Sequence, residues 1–194
     1  MTICKNCTLC AHPKSNYIKW LVNLLSPVIF GQKPSEIISI PKSNFESIEE
    51  IQAHFSACSK IKFKVIDFSQ YSYKVFFFHP SKLESTLKNK SNLIFLSKLG
   101  YSSSFEKILC ELFLKISFGN IPDEIGVFLG YPLKDVIGFI GHPSLPYVKT
   151  QAWRIYGNPR LSDQLYSQFV KSKEKMSFLL ETQSIEDIFA SYLQ

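Results

Sequence analysis

IPDEIGVFLGYPLKDVIGFI, Ile121–Ile140, joins two short amphipathic segments through a Gly-Tyr-Pro corner. Pro122 suits a helix start, and Glu124–Leu129 follows it as a short helix. Gly130 suits a helix C-terminus, and Pro132 begins the next helix, Leu133–Ile140. Downstream, Gly141, Pro143 and Pro146 read as a loop, and Trp153-Arg-Ile-Tyr156 alternates as one short strand. Pro159 or Ser162 opens a long helix to about Leu180. Ser184 caps a final helix that carries Ile185, Ile188, Phe189, Tyr192 and Leu193 on one face.

Upstream of the corner the same reading continues. Ser104 can cap a helix whose Phe105, Ile108, Leu109, Leu112, Phe113 and Ile116 keep helical spacing. Cys110 lies among these apolar residues and reads as core. Ile18, Leu21, Val22 and Leu25 share one face of an earlier helix that Pro27 ends or kinks. Ile37–Ile40 reads as either a strand or a buried loop. Ser47-x-x-Glu50 reads as a capping box opening a helix with Ile48, Ile51 and Phe55 on one face. Ile61, Phe63 and Val65 alternate with Lys62 and Lys64, and Tyr73–Phe78 alternates again. Together these predict an antiparallel hairpin with one wet face. Pro80 starts a helix to about Lys88, and Leu93–Leu99 forms another, ended by Gly100. The strands are too few and too clustered for a doubly wound parallel sheet. The expected fold is α+β: a small antiparallel sheet, hairpin 61–78 plus strand 152–156, covered by seven or eight helices. Residues 1–14 read as a cysteine-containing N-terminal tail, and 15–194 as a single α+β domain.

The totals set bounds. A chain of 194 residues with 45% hydrophobic content can bury a substantial core. The net charge of +6 is a mild bias, and its lysines are spread along the chain rather than gathered. That pattern does not favour nucleic acid. No signal peptide is visible, and Trp20–Phe30 is far short of a membrane span. Five cysteines, an odd count, point to reduced thiols in a cytoplasm. No Walker loop and no dinucleotide glycine fingerprint occur. The histidines have no Ser or Cys partner in a recognisable arrangement.

Three places can carry chemistry. Cys4-x-x-Cys7-x-x-Cys10-x-His12 places thiolates at the spacing that bites zinc or an iron–sulfur cluster. Lys14 stands where an iron–sulfur run would put a fourth cysteine, so the fourth ligand would be His12, Cys58 or Cys110. The alternative is a tail whose reduced thiols bind nothing. Glu124, Tyr131 and Asp135 flank the corner, within a wall of Phe128 and Phe139, and suit proton transfer or metal binding. Against this, both carboxylates sit early in helices, where the dipole favours them, and Gly126 and Gly138 permit close helix packing. Trp153, Arg154 and Tyr156 can hold a phosphate or carboxylate ligand. The competing reading puts Trp153 and Ile155 in the core and Arg154 in water.

The corner also carries a resemblance. Glu124, Ile125, Gly126, Phe128, Leu129, Gly130, Tyr131 and Pro132, then Asp135, Val136, Gly138, Phe139 and Ile140, then Trp153, Tyr156 and Gly157 follow one pattern. The early LLSPVIFGQKPSEIISI, Leu24–Ile40, fits its opening. From about Ser15 to Lys173 the chain resembles an uncharacterised bacterial family catalogued as the domain of unknown function numbered 3793. This chain has Asp123 where that family usually has His. It also lacks cysteines at Lys149–Ala152 and Val170–Lys173, where the family often carries them. The resemblance implies a cytoplasmic protein of anaerobic bacteria, in redox or iron metabolism, with no assigned reaction.

Three functions follow as expectations. The first is a cytoplasmic protein or enzyme that binds a small molecule or metal ion. The second is a basic module that binds RNA or an acidic protein through Lys60, Lys62, Lys64 and Lys74. The third is a hydrolase or transferase using Glu124, Tyr131 or Asp135.

Overall fold

A computed structural model of the chain describes residues 14–193. Its centre is a three-stranded antiparallel sheet built from β1 (Ser35–Pro41), β2 (Lys62–Asp67) and β3 (Ser72–Phe78), in the order β1-β3-β2. Phe76 and Val75 of β3 face Ile37 and Ile38 of β1 and Lys64 and Val65 of β2. Strand residues alternate between faces. Val75 and Phe77 therefore enter one core, and Phe76 enters another.

The first core packs the Val75 face of the sheet against α1 (Lys14–Ile29), α2 (Glu46–Phe55), the second half of α8 (Arg160–Thr182) and α9 (Ile185–Tyr192). The second packs the Phe76 face against α3 (Pro80–Lys88), α4 (Lys90–Lys98), α5 (Phe105–Ser117), α6 (Ile125–Phe128) and α7 (Leu133–Ile140). The α+β architecture is thus as expected, with nine helices among the described residues rather than seven or eight. Pro27 lies inside α1, and its carbonyl accepts hydrogen bonds from the amides of Gln32 and Lys33, which close the turn into β1.

Several local expectations are corrected. The expected wet face belongs to β2 alone, because helices cover both sides of β3. Lys62 and Lys64 are exposed because β2 is an edge strand, where charge also discourages pairing with another chain. Strand 152–156 does not join the central sheet. Instead β5 (Arg154–Tyr156) pairs antiparallel with β4 (Tyr147–Thr150) as a separate ribbon. β4 was hidden in the sequence because its residues are mostly exposed and lack an apolar alternation. Ser47 does not cap α2. The chain is already helical at Phe45, and the Ser47 side chain is buried in the first turn. Cys110 is exposed rather than core, because the buried stripe of α5 runs through Ile108, Leu109, Leu112 and Ile116. Ser184 does cap α9, accepting a hydrogen bond from the Asp187 amide. No helix among the described residues is long and apolar enough to cross a membrane.

The corner between α6 and α7 depends on Gly130. Its φ is +77°, and a Cβ there would lie 2.4 Å from Pro34 Cδ. A side chain would add left-handed strain of about 1–2 kcal/mol and an overpacking cost of about 1–3 kcal/mol. Gly130→Ala is therefore expected to lower stability by about 2–5 kcal/mol in urea unfolding at pH 7. A loss below about 1 kcal/mol would contradict the close approach of the corner to Pro34.

Candidate functional site

Asp135 stands in the first turn of α7, where backbone geometry turns its carboxylate towards β5 and α8. It is 2% exposed. Four donors converge on it: Trp153 Nε1 at 2.8 Å, the Tyr156 amide at 2.9 Å, Ser162 Oγ at 2.6 Å and Lys134 Nζ at 2.5 Å. Lys134 also donates to the Tyr156 carbonyl and to Ser162 Oγ, closing the network. Burial pushes the Asp135 carboxyl up, but the hydrogen bonds from Lys134, Ser162, Tyr156 and Trp153 outweigh it and hold the group below its ordinary value. A carboxylate with its lone pairs so occupied is a fastening group, poorly placed to take a substrate proton.

The fastening brings β5 close to α7. At Gly138 a Cβ would meet the Tyr156 ring at 2.4 Å, so only glycine lets the two elements touch. It also sets Trp153 against the corner. The Tyr131 and Trp153 rings stack with centroids 4.5 Å apart and planes 15° apart. Trp153, Ile155 and Phe169 form a small third core beneath them.

A pocket of about 210 Å³ lies between the Gly-Tyr-Pro corner and the Trp153 segment. Ile125, Gly126, Tyr131, Val136, Phe139 and Trp153 make its largely apolar wall. Asp123 and Arg154, both exposed, stand among its lining residues. The Arg154 guanidinium lies 5.6 Å from the Phe139 ring centroid, a cation–π distance. Burial, with Glu36 nearby, pushes the Tyr131 phenol far above its ordinary value, so it stays neutral at physiological pH.

Glu124 is not part of this wall. Its Oε1 accepts from Tyr101 Oη at 2.8 Å and Lys115 Nζ at 2.7 Å. Burial pushes its carboxyl up, but Lys115, a backbone amide and Tyr101 together hold it below the usual range. Phe128 is likewise buried in the second core, against Tyr101. The expected trio is therefore divided. Tyr131 and Asp135 line one pocket, while Glu124 belongs to a separate ion pair.

Trp153 and Arg154 do reach the pocket, whereas the Tyr156 ring packs on Gly138. Cys4, Cys7, Cys10 and His12 lie outside the described residues. Among the described residues no group of three His, Cys, Asp or Glu side chains is placed to hold a metal ion. Cys58 is buried and its thiol donates weakly to the His54 carbonyl at 3.4 Å. Lys134 and Ser162 were not singled out as site residues from the sequence. A lysine next to an aspartate, and a serine in a helix's first turn, carry no signal that they meet.

The model of the family described as protein of unknown function (DUF3793) matches residues 21–189, and the chain belongs to that family. No curated protein and no solved structure gives a match.

The Asp135 network makes a pH-dependent contribution. A depressed carboxyl contributes stability that is fully present above its unfolded value, about 3.9. That contribution is lost as pH falls through the lower folded value. Asp135→Asn presents an amide N–H₂ to four donors and is expected to cost about 3–5 kcal/mol at pH 7. The gap between parent and variant should shrink on acidification below about pH 4 in urea titrations. A gap that is small at pH 7, or unchanged by acid, would contradict the network.

Proposed function

We propose that this member of the family is a small-molecule-binding protein whose site is the pocket between the Gly-Tyr-Pro corner and the Trp153 segment. One observation carries the reading. Apolar and aromatic side chains enclose a pre-formed cavity, and a few charged groups line it too, which is the usual make-up of a ligand site. The ligand is small and mainly apolar, packed against Tyr131, Trp153 and Phe139, with Arg154 and Asp123 available to orient a polar end. The saturated Asp135 carboxylate holds the wall and is not free to act as a general base. This favours binding over the hydrolase or transferase reading. The RNA or acidic-partner reading is weaker, since Lys62 donates to the Cys58 carbonyl and Lys74 sits 4.5 Å from the Phe68 ring centroid.

The chain has two tryptophans, so a Trp20→Phe background leaves Trp153 as the reporter. Titration with p-nitrotoluene and indane, the first read by fluorescence quenching and both by amide shifts, is expected to saturate. Ile125→Phe, which narrows the pocket without adding a second indole, should abolish it. Failure of every apolar probe to saturate, or equal binding by the narrowed variant, would count against this site.

A metal reading stands beside it, supported by the spacing of Cys4, Cys7, Cys10 and His12. Three thiolates and an imidazole suit zinc, and the same thiolates suit part of an iron–sulfur cluster. This fits the expectation of a cytoplasmic role in anaerobic redox or iron metabolism. Protein purified without oxygen should carry stoichiometric zinc or iron, and Cys7→Ser should lose it. Metal-free protein, or unchanged metal content in the variant, would remove this reading.

A further inference from the structure

Tyr131 also lines a second cavity, of about 250 Å³. Its walls come from Pro27 of α1, from Lys33 and Glu36 at the start of β1, and from the first half of α8 through Tyr166, Phe169 and Lys173. Lys33 is the unusual group here. It is 5% exposed, among the most buried charged side chains of the described residues. Its ammonium donates to Glu36 Oε2 at 2.7 Å and lies 5.3 Å and 5.6 Å from the Tyr131 and Phe169 ring centroids.

An ammonium carries three N–H donors. Lys33 gives one of them to an acceptor among the described residues, and the rings take no true hydrogen bond in its place. Buried donors ordinarily find acceptors, so this cavity is short of one. Both Glu36 oxygens are already engaged, Oε2 with Lys33 and Oε1 with the Ile37 amide at 3.2 Å. Lys173 stands exposed at the same cavity. With Lys33, Lys173 and Glu36 together the walls carry one net positive charge.

We propose that this cavity is a second binding site, for a small organic monoanion: a carboxylate on a flat apolar body. The carboxylate accepts the remaining Lys33 donors and pairs with Lys173. The body lies against Tyr131, Tyr166 and Phe169. The single net charge suits a monoanion, and the volume, at the low end for ligand cavities, suits roughly one ring. The proposal does not depend on what fills the pocket beside Arg154.

The test is titration of the full chain with benzoate, followed by amide NMR shifts, with benzyl alcohol as the uncharged match. Benzoate should give saturable shifts at Tyr166, Phe169 and Val170, and benzyl alcohol should bind at least about tenfold more weakly. Lys33→Met should weaken benzoate at least about tenfold, whereas Arg154→Gln should leave it unchanged. Val170→Trp fills the cavity and keeps Lys33 in the chain, so it decides the matter if Lys33→Met does not fold, and it should abolish binding. Equal affinity for the alcohol, no saturable shift, or unchanged binding in Val170→Trp would overturn the proposal. Loss of binding in Arg154→Gln instead would move the acid to the first pocket and overturn it as well.

Discussion

The buried carboxylate of Asp135 is the constraint on which the rest of this region depends. Three of its donors lie far along the chain, on the Trp153 segment, on β5 and on α8, and the fourth is its neighbour Lys134. None of these elements belongs to the central sheet. Besides the carboxylate, the β4–β5 ribbon is held by its packing on α7, by the Lys149–Asp163 ion pair and by Ile155 in the third core. With the carboxylate, Trp153 is locked in place and oriented to stack on Tyr131, and an apolar space opens beside the pair. Ionised, the group satisfies every donor. Removal would strand an indole N–H and a backbone amide in a buried site, each costly to leave unmet, while Lys134 would keep the Tyr156 carbonyl and Ser162 Oγ.

The two carboxylates of the corner show how position along a helix decides chemistry. Eleven residues apart in sequence, Glu124 and Asp135 both sit near helix starts, and the sequence pairs them naturally. The left-handed turn at Gly130 instead sends them to different partners. Glu124 faces Tyr101 and Lys115 over the second core, and Asp135 faces the third. Each is held ionised by its own cation. What remains at the corner is shape and aromatic surface, which recognises ligands better than it transfers protons. Tyr131 is central because it contributes to both cavities.

Much of the fold was legible in the sequence wherever one face of an element is buried and the other is wet. The stripe of α5 and the Pro132 start of α7 are of this kind, and the cap of α9 follows from its local chemistry. Legibility failed where burial did not follow a simple period. β3 is buried on both faces, so Tyr73–Phe78 marked the strand but hid its second layer. β4 is exposed on nearly every residue and looked like loop. In the candidate site, Tyr131, Asp135, Trp153 and Arg154 were singled out in the sequence, but as members of two separate places rather than of one pocket. The hub was not, because Lys134, Ser162 and the Tyr156 amide meet Asp135 only through tertiary folding. Lys33 was invisible as a buried charge, since a lysine in the run Gly31-Gln32-Lys33-Pro34 reads as a solvated turn.

The central claim is that Asp135 pins the Trp153 segment to the corner and so creates the pocket. Hydrogen exchange of the two indole N–H groups tests it most directly. Trp153 is 7% exposed and donates to Asp135, whereas Trp20 is 41% exposed. The Trp153 signal should persist long after the Trp20 signal has exchanged, and Asp135→Asn should remove that protection. Exchange of both indoles at similar rates in the parent protein would contradict the claim.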